Sequence, residues 1–263
     1  MKAKLLLGGG TPKVPPAELR NLVARSGFET GASGADFGIV VGGDGRFSRF
    51  GRTEDIPLLF VGVRSSSING SKAHLARTTY DELPDALAKI RSGRYRTEEH
   101  RRLGVLKNGK SIGEVFTDVY LQRGSDSTCI RYRVKVRGPG LDLVDAAIGD
   151  GVVVTTQAGA SGYYSYPDRI KGESMDPGAF VGIGNDEVGV CHVTPTFTER
   201  EGTGEHPLRY RVPWGCRIDL SLNRSADARV YGTADAREGV RVTLRDVISI
   251  VPGKKVTKVI AFG

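Results

Sequence analysis

The first third of the chain alternates continuous apolar runs with stretches of helical spacing. Continuous apolar runs cover residues 39–41 and 57–63, and residues 3–7 form a short apolar stretch that contains Lys4. The helical stretches cover residues 17–25 and 83–90. Continuous apolar runs predict strands buried on both faces, and strands that alternate with helices predict a parallel α/β sheet. Ahead of the second helix, Thr79 and Glu82 predict a capping box with Thr79 as the N-cap residue. We therefore expect residues 1–95 to form an α/β domain.

From about residue 96 onward, apolar and polar positions alternate with a period of two. The clearest runs are residues 130–136, 217–222 and 240–244. Such runs predict antiparallel strands with one buried face. The dipeptide Asn108-Gly109, between two lysines, predicts a two-residue hairpin. Residues 96–263 are therefore predicted to form a β-rich second domain, whose last strand, residues 259–262, can return to the first domain.

Composition and charge narrow the class of protein. The 263 residues carry a net charge of +8, which is spread along the chain without a nucleic-acid-binding motif. A basic surface favours anionic ligands such as nucleotides, and we expect no binding to nucleic acid. No apolar run approaches the roughly 20 residues that span a bilayer, and the N-terminal run is too short for a signal peptide. These observations predict a cytoplasmic protein without a membrane contact.

Cysteine and histidine spacing predicts no metal site held by the protein. The three cysteines lie far apart and form no CxxC pair, and the four histidines lack ligand spacing. Neither a disulfide framework nor a structural zinc site is therefore predicted.

One apolar run, residues 39–41, ends abruptly in Gly42-Gly43-Asp44-Gly45. Glycine reaches positive φ without a steric cost, so this sequence predicts a tight turn whose backbone N–H groups stay uncovered by side chains. Uncovered amides suit phosphate oxygens, and the lone carboxylate of Asp44 suits a metal or a hydroxyl proton. Strand ends are also where open α/β sheets bind ligands. The alternative is an ordinary tight turn with a solvated Asp44.

Two further stretches carry candidate chemistry in the second half. Thr117-Asp118 stands near the start of a predicted strand, which places Asp118 in the core or in a cleft. Residues 149–163 predict a strand that continues into a loop of small residues, with hydroxyls on Thr155, Thr156 and Ser161. Such a loop lets a planar or phosphorylated ligand approach the backbone closely. Its alternative is a glycine-rich hairpin loop.

These stretches, in this order, resemble the NAD kinase family, part of the wider group of GGDG kinases that includes diacylglycerol kinases, sphingosine kinases and phosphofructokinases. The family's GGDGT turn is matched by residues 42–45, and its Asn-Glu pair by Thr117-Asp118. Its DG…TPTGSTAY loop is matched by Asp150-Gly151 and by residues 156–163, with no gap in the spacing. The resemblance covers most of the chain. It implies a parallel α/β domain followed by a β-rich substrate-binding domain.

The resemblance also implies an activity, which is ATP-dependent phosphorylation of the 2′-hydroxyl on the adenosine ribose of NAD, with Mg²⁺ bound to ATP. Asp44 would be the base or the carboxylate that orients the hydroxyl. The implied phosphate-binding residues are Gly42, Gly43, Gly45 and Arg46. The implied substrate-binding residues are Thr117, Asp118, Asp150, Thr156, Gly159, Ser161, Gly162 and Tyr163. A homodimer or homotetramer is implied as well.

Several motif positions depart from the family pattern. Arg46 stands where the family has Thr, and it could either pair with phosphates or fill the nucleotide site. Thr117-Asp118 replaces Asn-Glu, which removes an amide and shortens the carboxylate by one methylene. Residues 157–158 and 160–162 also differ, and residues 233–236 lack an expected Asp-Gly-Gln. Two alternatives therefore stay open: a kinase for a different hydroxyl substrate, and a non-catalytic protein that binds NAD(P) or another nucleotide.

Overall fold

The computed structural model describes residues 1–8, 14–63, 73–125, 127–138, 140–170, 182–233 and 238–263. These residues form two compact units, one made of residues 1–100 and 256–263 and the other of residues 101–255. Residues 9–13, which contain two glycines of the sequence Gly8-Gly9-Gly10, and residues 234–237 are among those outside the described residues. No helix of the described segments is long and apolar enough to cross a lipid bilayer.

The first unit contains a parallel sheet with helices. Its elements are β1 (Lys2–Leu6), α1 (Pro16–Arg25), β2 (Glu29–Thr30), β3 (Phe37–Gly42), α2 (Asp44–Thr53), β4 (Leu58–Gly62), β5 (Thr78–Thr79) and α3 (Leu83–Arg91). The strand order is β2-β1-β3-β4, and every pair is parallel. β5 and the C-terminal end of the last strand of the chain, at Val259, also pair with β4 in parallel.

Burial explains why the first unit adopts this arrangement. All residues of β3 and β4 are buried, as the continuous apolar runs predict. The two predicted helices form, and they bury Leu19 and Val23 of α1 and Leu83, Leu87 and Ile90 of α3 in one apolar cluster. Each such side chain contributes about 1.5–3 kcal/mol when it is fully buried. The hydrophobic stripes therefore account for both helices.

The start of α3 differs from the prediction. Thr79 and Glu82 exchange the predicted hydrogen bonds, but they close a turn that precedes the helix. Glu82 is the N-cap residue and Leu83 the first helical residue, so the prediction of Thr79 as N-cap is wrong. Pro84 in the first turn explains the shift, because proline is accommodated there, where its missing N–H is not needed.

The second unit is β-rich, as predicted. Its elements are β6 (Arg96–Lys107), β7 (Lys110–Val115), β8 (Asp118–Arg123), β9 (Ile130–Gly138), β10 (Leu141–Gly149), β11 (Gly151–Thr155), α4 (Tyr166–Ile170), β12 (Glu187–Val193), β13 (Phe197–Arg200), β14 (Arg209–Pro213), β15 (Arg217–Leu222), β16 (Ala228–Tyr231), β17 (Val240–Val242) and β18 (Ile248–Ala261). The first residues of β6 and the last of β18 belong to the first unit.

Two runs of antiparallel strands build the second unit. One has the order β13-β10-β9-β15-β18, and the other has the order β14-β12-β11-β8-β16-β17. Alternate residues of both runs, such as Val134 of β9 and Val152 of β11, share one apolar core. The predicted hairpin joins β6 to β7, with Asn108 at φ 51° and Gly109 at φ 79°. The predicted fold class, a parallel α/β part followed by a β-rich part, is confirmed.

Candidate active site

The glycine-rich turn of the first unit connects β3 directly to α2. Gly42, the last residue of β3, has φ +153°, and a Cβ there would lie 2.6 Å from Cδ of Arg46. The predicted need for glycine is therefore confirmed at Gly42. Gly43 has an ordinary extended conformation and caps α2, whereas Gly45 lies in the first turn of that helix with open space around it.

The carboxylate of Asp44 is held by two consecutive backbone amides. The N–H of His74 donates to Oδ2 over 3.1 Å, and the N–H of Leu75 donates to Oδ1 over 2.9 Å. Ala73, just before these amides, has φ 49°, a left-handed conformation that turns successive N–H groups toward one anion. Asp44 is also the first residue of α2, where a negative charge meets the positive end of the helix dipole. The alternative of a simply solvated Asp44 is therefore wrong.

Arg46 lies against the backbone of the same turn. Its Nη1 donates to the carbonyl oxygen of Val41 over 2.8 Å. Its side chain fills the space that a Cβ on Gly42 would need, and its Nε would lie 3.3 Å from a Cβ on Gly8. Arg46 therefore covers the backbone of both glycines, which places a guanidinium beside the predicted phosphate cradle.

In the second unit, Asp118 is a buried carboxylate at the first position of β8. Its side chain accepts hydrogen bonds from Oγ1 of Thr117, over 3.1 Å, and from the hydroxyl of Tyr120. The residue is only 9% exposed. Burial raises the pKa of Asp118 to about 6, because desolvation of the charged form outweighs the two hydrogen bonds, which lower it.

Hydrogen bonds to the residues just before β8 hold the small-residue loop after β11 close to this carboxylate. Thr156 donates its N–H to the carbonyl of Thr117 over 2.8 Å and its hydroxyl to the carbonyl of Phe116 over 2.7 Å. The hydroxyl of Thr155 also donates to the carbonyl of Thr117. A Cβ on Gly159 would lie 2.2 Å from Oγ1 of Thr155 and 2.7 Å from that carbonyl. Only glycine therefore permits this approach of the loop to β8.

The end of the loop completes the cluster. A Cβ on Gly162 would lie 3.2 Å from Oδ2 of Asp118, so this glycine keeps the loop close to the carboxylate. Tyr163 is 53% exposed, and its ring meets that of Tyr120 edge to face with 5.4 Å between centroids. The Ser161 hydroxyl bonds to no other described residue, whereas the Ser161 carbonyl accepts from Arg169.

Asp150 lies at the other end of the same strand pair. Thr155 pairs with Asp118, whereas Gly151, which follows Asp150, pairs with Gln122. At about 3.3 Å per residue, the two ends are roughly 13 Å apart. Asp150 instead forms an ion pair with Arg123, whose Nε lies 2.9 Å from Oδ1. The structure therefore does not bring Asp150 to the Asp118 cluster within this chain, and its substrate-binding role stays a prediction.

Comparisons with known proteins agree on one family, although no protein-family model matches the chain. A Geobacter sp. (strain M21) protein named NAD kinase is 27% identical over 239 residues, which are 87% of this chain and 73% of that protein. A Clostridium perfringens NAD kinase is 29% identical over 86% of this chain and 75% of its own length. A Methanopyrus kandleri NAD kinase is 30% identical over 49% of this chain and 44% of its own length.

Solved structures show the same fold. Yeast NADH kinase, solved with NADH, aligns to the whole chain and to 83% of its own chain with a TM-score of 0.71 and 12% identity. An Archaeoglobus fulgidus NAD kinase, solved with ATP, aligns to the whole chain and to 94% of its own with a TM-score of 0.66 and 17% identity. The chain is similar to NAD kinases over most of its length. The prediction of a kinase-type phosphotransferase is confirmed by these relatives.

Three further residues contact the candidate site without having been singled out from the sequence. His74 and Leu75 contact Asp44 through backbone N–H groups, which leave no signal in side-chain identity. The conformation of Ala73 gives equally little warning, because alanine carries no preference for positive φ. Tyr120 lies two residues after Asp118 on β8, and its hydroxyl bonds to that carboxylate. Alternate residues of a strand share a face, which is the signal in the sequence that could have found Tyr120.

Proposed function

We propose that this protein transfers the γ-phosphoryl group of ATP to the 2′-hydroxyl of the adenosine ribose of NAD, forming NADP. The observation that carries the proposal is the carboxylate of Asp44, which two backbone amides hold at the end of β3 beside the Gly42-Gly43 turn. Relatives named NAD kinase, and solved relatives that contain NADH or ATP, support the choice of both substrates.

Phosphoryl transfer makes few chemical demands on the protein beyond positioning and charge stabilisation. The 2′-oxygen bonds to the γ-phosphorus while the bond from that phosphorus to the β,γ-bridging oxygen breaks, and ADP leaves. The proton of the hydroxyl passes to the carboxylate of Asp44, or Asp44 orients the hydroxyl by accepting its hydrogen bond. Fixed amides on both carboxylate oxygens keep the group in one orientation, which is the contribution that this chemistry needs.

The second unit supplies a surface suited to a dinucleotide. The carboxylate of Asp118 accepts hydrogen bonds from a ribose hydroxyl or an amide group of the substrate. Gly159 and Gly162 let the substrate approach the loop backbone. The hydroxyl of Ser161, which bonds to no other described residue, can bond to the substrate. The exposed ring of Tyr163, braced by Tyr120, offers a face on which a planar ring can stack.

Magnesium fits this site as a companion of ATP. Among the described residues, no group of three or more histidine, cysteine, aspartate or glutamate side chains could hold a metal ion. Mg²⁺ commonly needs only one or two carboxylates because substrate phosphates supply the remaining oxygen ligands. The ion would neutralise charge on the phosphates of ATP, and Asp44 would stay available for the 2′-hydroxyl.

The decisive experiment follows product formation from NAD, ATP and Mg²⁺. NADP is detected with a dehydrogenase that accepts only NADP, and phosphorus NMR places the new phosphate on the 2′ or the 3′ oxygen. We expect a 2′-phosphate. Parallel reactions with polyphosphate in place of ATP, and with NADH in place of NAD, define the donor and the acceptor. Binding of NAD or ATP without any product would contradict the proposal and favour a binding protein.

The expected homodimer or homotetramer belongs to the same proposal. Light scattering after size-exclusion chromatography measures the mass in solution, and a mass of 28.2 kDa, that of a single chain, would contradict it.

A further inference from the structure

A small pocket of about 130 Å³ opens on the second unit, between the loop before β9 and the loop after β15. Its lining residues are Thr128, Cys129, Arg131, Arg224, Ser225 and Ala226. None of them belongs to the candidate active site. The pocket therefore calls for an explanation of its own.

Two cations, Arg131 and Arg224, line this pocket. Neither Arg131 nor Arg224 forms a salt bridge with any residue in the described ranges. The two described carboxylates nearest to Arg224 in sequence bond to other residues, since Asp227 accepts from Ser125 and Asp219 pairs with Arg217. Like charges that line one pocket repel each other, and an anion between them would remove that repulsion.

The remaining polar groups of the pocket also suit an anion. The hydroxyls of Thr128 and Ser225 make no hydrogen bond to another residue of the described segments. Hydroxyls and guanidinium groups all donate, and the fork of an arginine matches two oxygens of a phosphate. None of the described residues that line the pocket carries a carboxylate. Its volume equals that of about four water molecules at ~30 Å³ each, which is enough for a tetrahedral oxyanion.

We propose that this pocket binds a phosphate-sized oxyanion, with Arg131 and Arg224 as the two cationic ligands and Thr128 and Ser225 as hydroxyl donors. The oxyanion is either free inorganic phosphate or sulfate, or the terminal phosphoryl group of a small metabolite. Both sources offer the same chemistry to the pocket, and the experiment below distinguishes them. The site goes beyond the proposed kinase reaction because none of its residues takes part in that reaction.

Cys129 provides a reporter inside the pocket. The thiols of Cys191 and Cys216 are buried, so Cys129 is the exposed thiol among the three cysteines of the chain. The rate at which a neutral thiol reagent modifies Cys129 is measured by mass spectrometry, with and without inorganic phosphate, at constant ionic strength set by chloride. We expect phosphate to slow this reaction several-fold, because a bound oxyanion blocks access to the thiol.

Three variants separate a built site from general electrostatic attraction. Arg131→Gln and Arg224→Gln should each abolish the protection by phosphate. Arg133→Gln is the matched control, since Arg133 lies two residues along the same strand and pairs with Glu201 over 2.7 Å. It removes the same charge and should leave the protection intact. Equal loss in all three variants would contradict the proposal, as would a labelling rate that phosphate does not change.

Two further comparisons complete the test. Asp126 lies in the same loop but outside the described residues. If phosphate protected Cys129 only in the variant Asp126→Asn, the chain's own carboxylate would fill the pocket and the proposal would be wrong. Protection by phosphate and sulfate alone identifies a free oxyanion as the ligand. Stronger protection by a phosphate monoester, such as glycerol 3-phosphate, identifies a phosphoryl group carried by a metabolite.

Discussion

The buried carboxylate of Asp118 should make the stability of this protein depend on pH in a defined direction. Burial raises its pKa from the ordinary 3.8 to about 6. The folded state therefore binds more protons than the unfolded state between these two values, and stability falls as pH rises through that window. Below about pH 3.8 the penalty is absent, and above about pH 6 it is present in full.

The size of the penalty follows from the shift in pKa. At about 1.4 kcal/mol per pH unit, a rise from 3.8 to about 6 corresponds to about 3 kcal/mol. Asp118→Asn removes the ionisation and with it this penalty. It also weakens the hydrogen bonds from Thr117 and Tyr120, at a cost of about 1 kcal/mol each that does not vary with pH. The difference between pH values is therefore the informative quantity.

The assay is urea unfolding of the wild type and of Asp118→Asn at several values between about pH 4 and pH 7. Relative to the wild type, the variant should gain about 2 kcal/mol of unfolding free energy between the two ends of this range, because part of the penalty is already present at pH 4. Asp142→Asn, which removes an exposed carboxylate of β10, controls for the loss of one charge. A difference between variant and wild type that stays constant with pH would refute the burial argument.

Three other substitutions test the geometry of the two site regions. Ala73→Gly should raise the free energy of unfolding by about 1 kcal/mol, because glycine adopts the left-handed conformation of this position without steric strain. Ala86→Gly in α3 is the control and should lower the free energy of unfolding by about 1 kcal/mol. A loss of stability in Ala73→Gly would contradict the presence of backbone strain at Ala73. Gly159→Ala should lower the free energy of unfolding by about 1–3 kcal/mol, through its clash with Thr155 and Thr117, and should raise KM for NAD. Gly215→Ala is the control, since there is open space around Gly215, and it should change neither quantity. Unchanged unfolding and kinetics of Gly159→Ala would rule out the close approach. Arg46→Thr should lower KM for ATP several-fold in steady-state kinetics, because it uncovers the backbone of Gly42 and Gly8. A higher KM for ATP would contradict this and would mean that Arg46 binds the phosphates.

Local periodicity was sufficient to predict most of the fold. The buried strands β3 and β4, the alternating strand β9 and the hairpin at Asn108-Gly109 all follow from patterns within a few residues. α2 was missed because its only apolar side chains are Phe47 and Phe50, and its two glycines oppose helix formation. The packing that holds α2 on the sheet is a tertiary contact, in which the ring of Phe47 stacks on that of Phe60 with 4.6 Å between the ring centroids.

The sequence also allowed some residues of the candidate site to be predicted, but not others. Asp44, Asp118 and the loop through Gly159 could be singled out because carboxylates and glycines at motif spacing carry a chemical meaning. Their partners could not be predicted, since His74 and Leu75, whose amides hold Asp44, lie 30 and 31 residues from it in sequence. The separation of Asp150 from Asp118 depends on strand register, which a single sequence does not fix.

The most direct test of the proposed function compares the wild type with Asp44→Ala in NADP formation from NAD, ATP and Mg²⁺. Circular dichroism and NAD titration of the variant verify that it stays folded and binds substrate. The proposed role of Asp44 predicts NADP from the wild type and a loss of several orders of magnitude in kcat for Asp44→Ala. Turnover by Asp44→Ala close to the wild-type rate would contradict it, as would a wild-type protein that binds NAD and ATP without forming NADP.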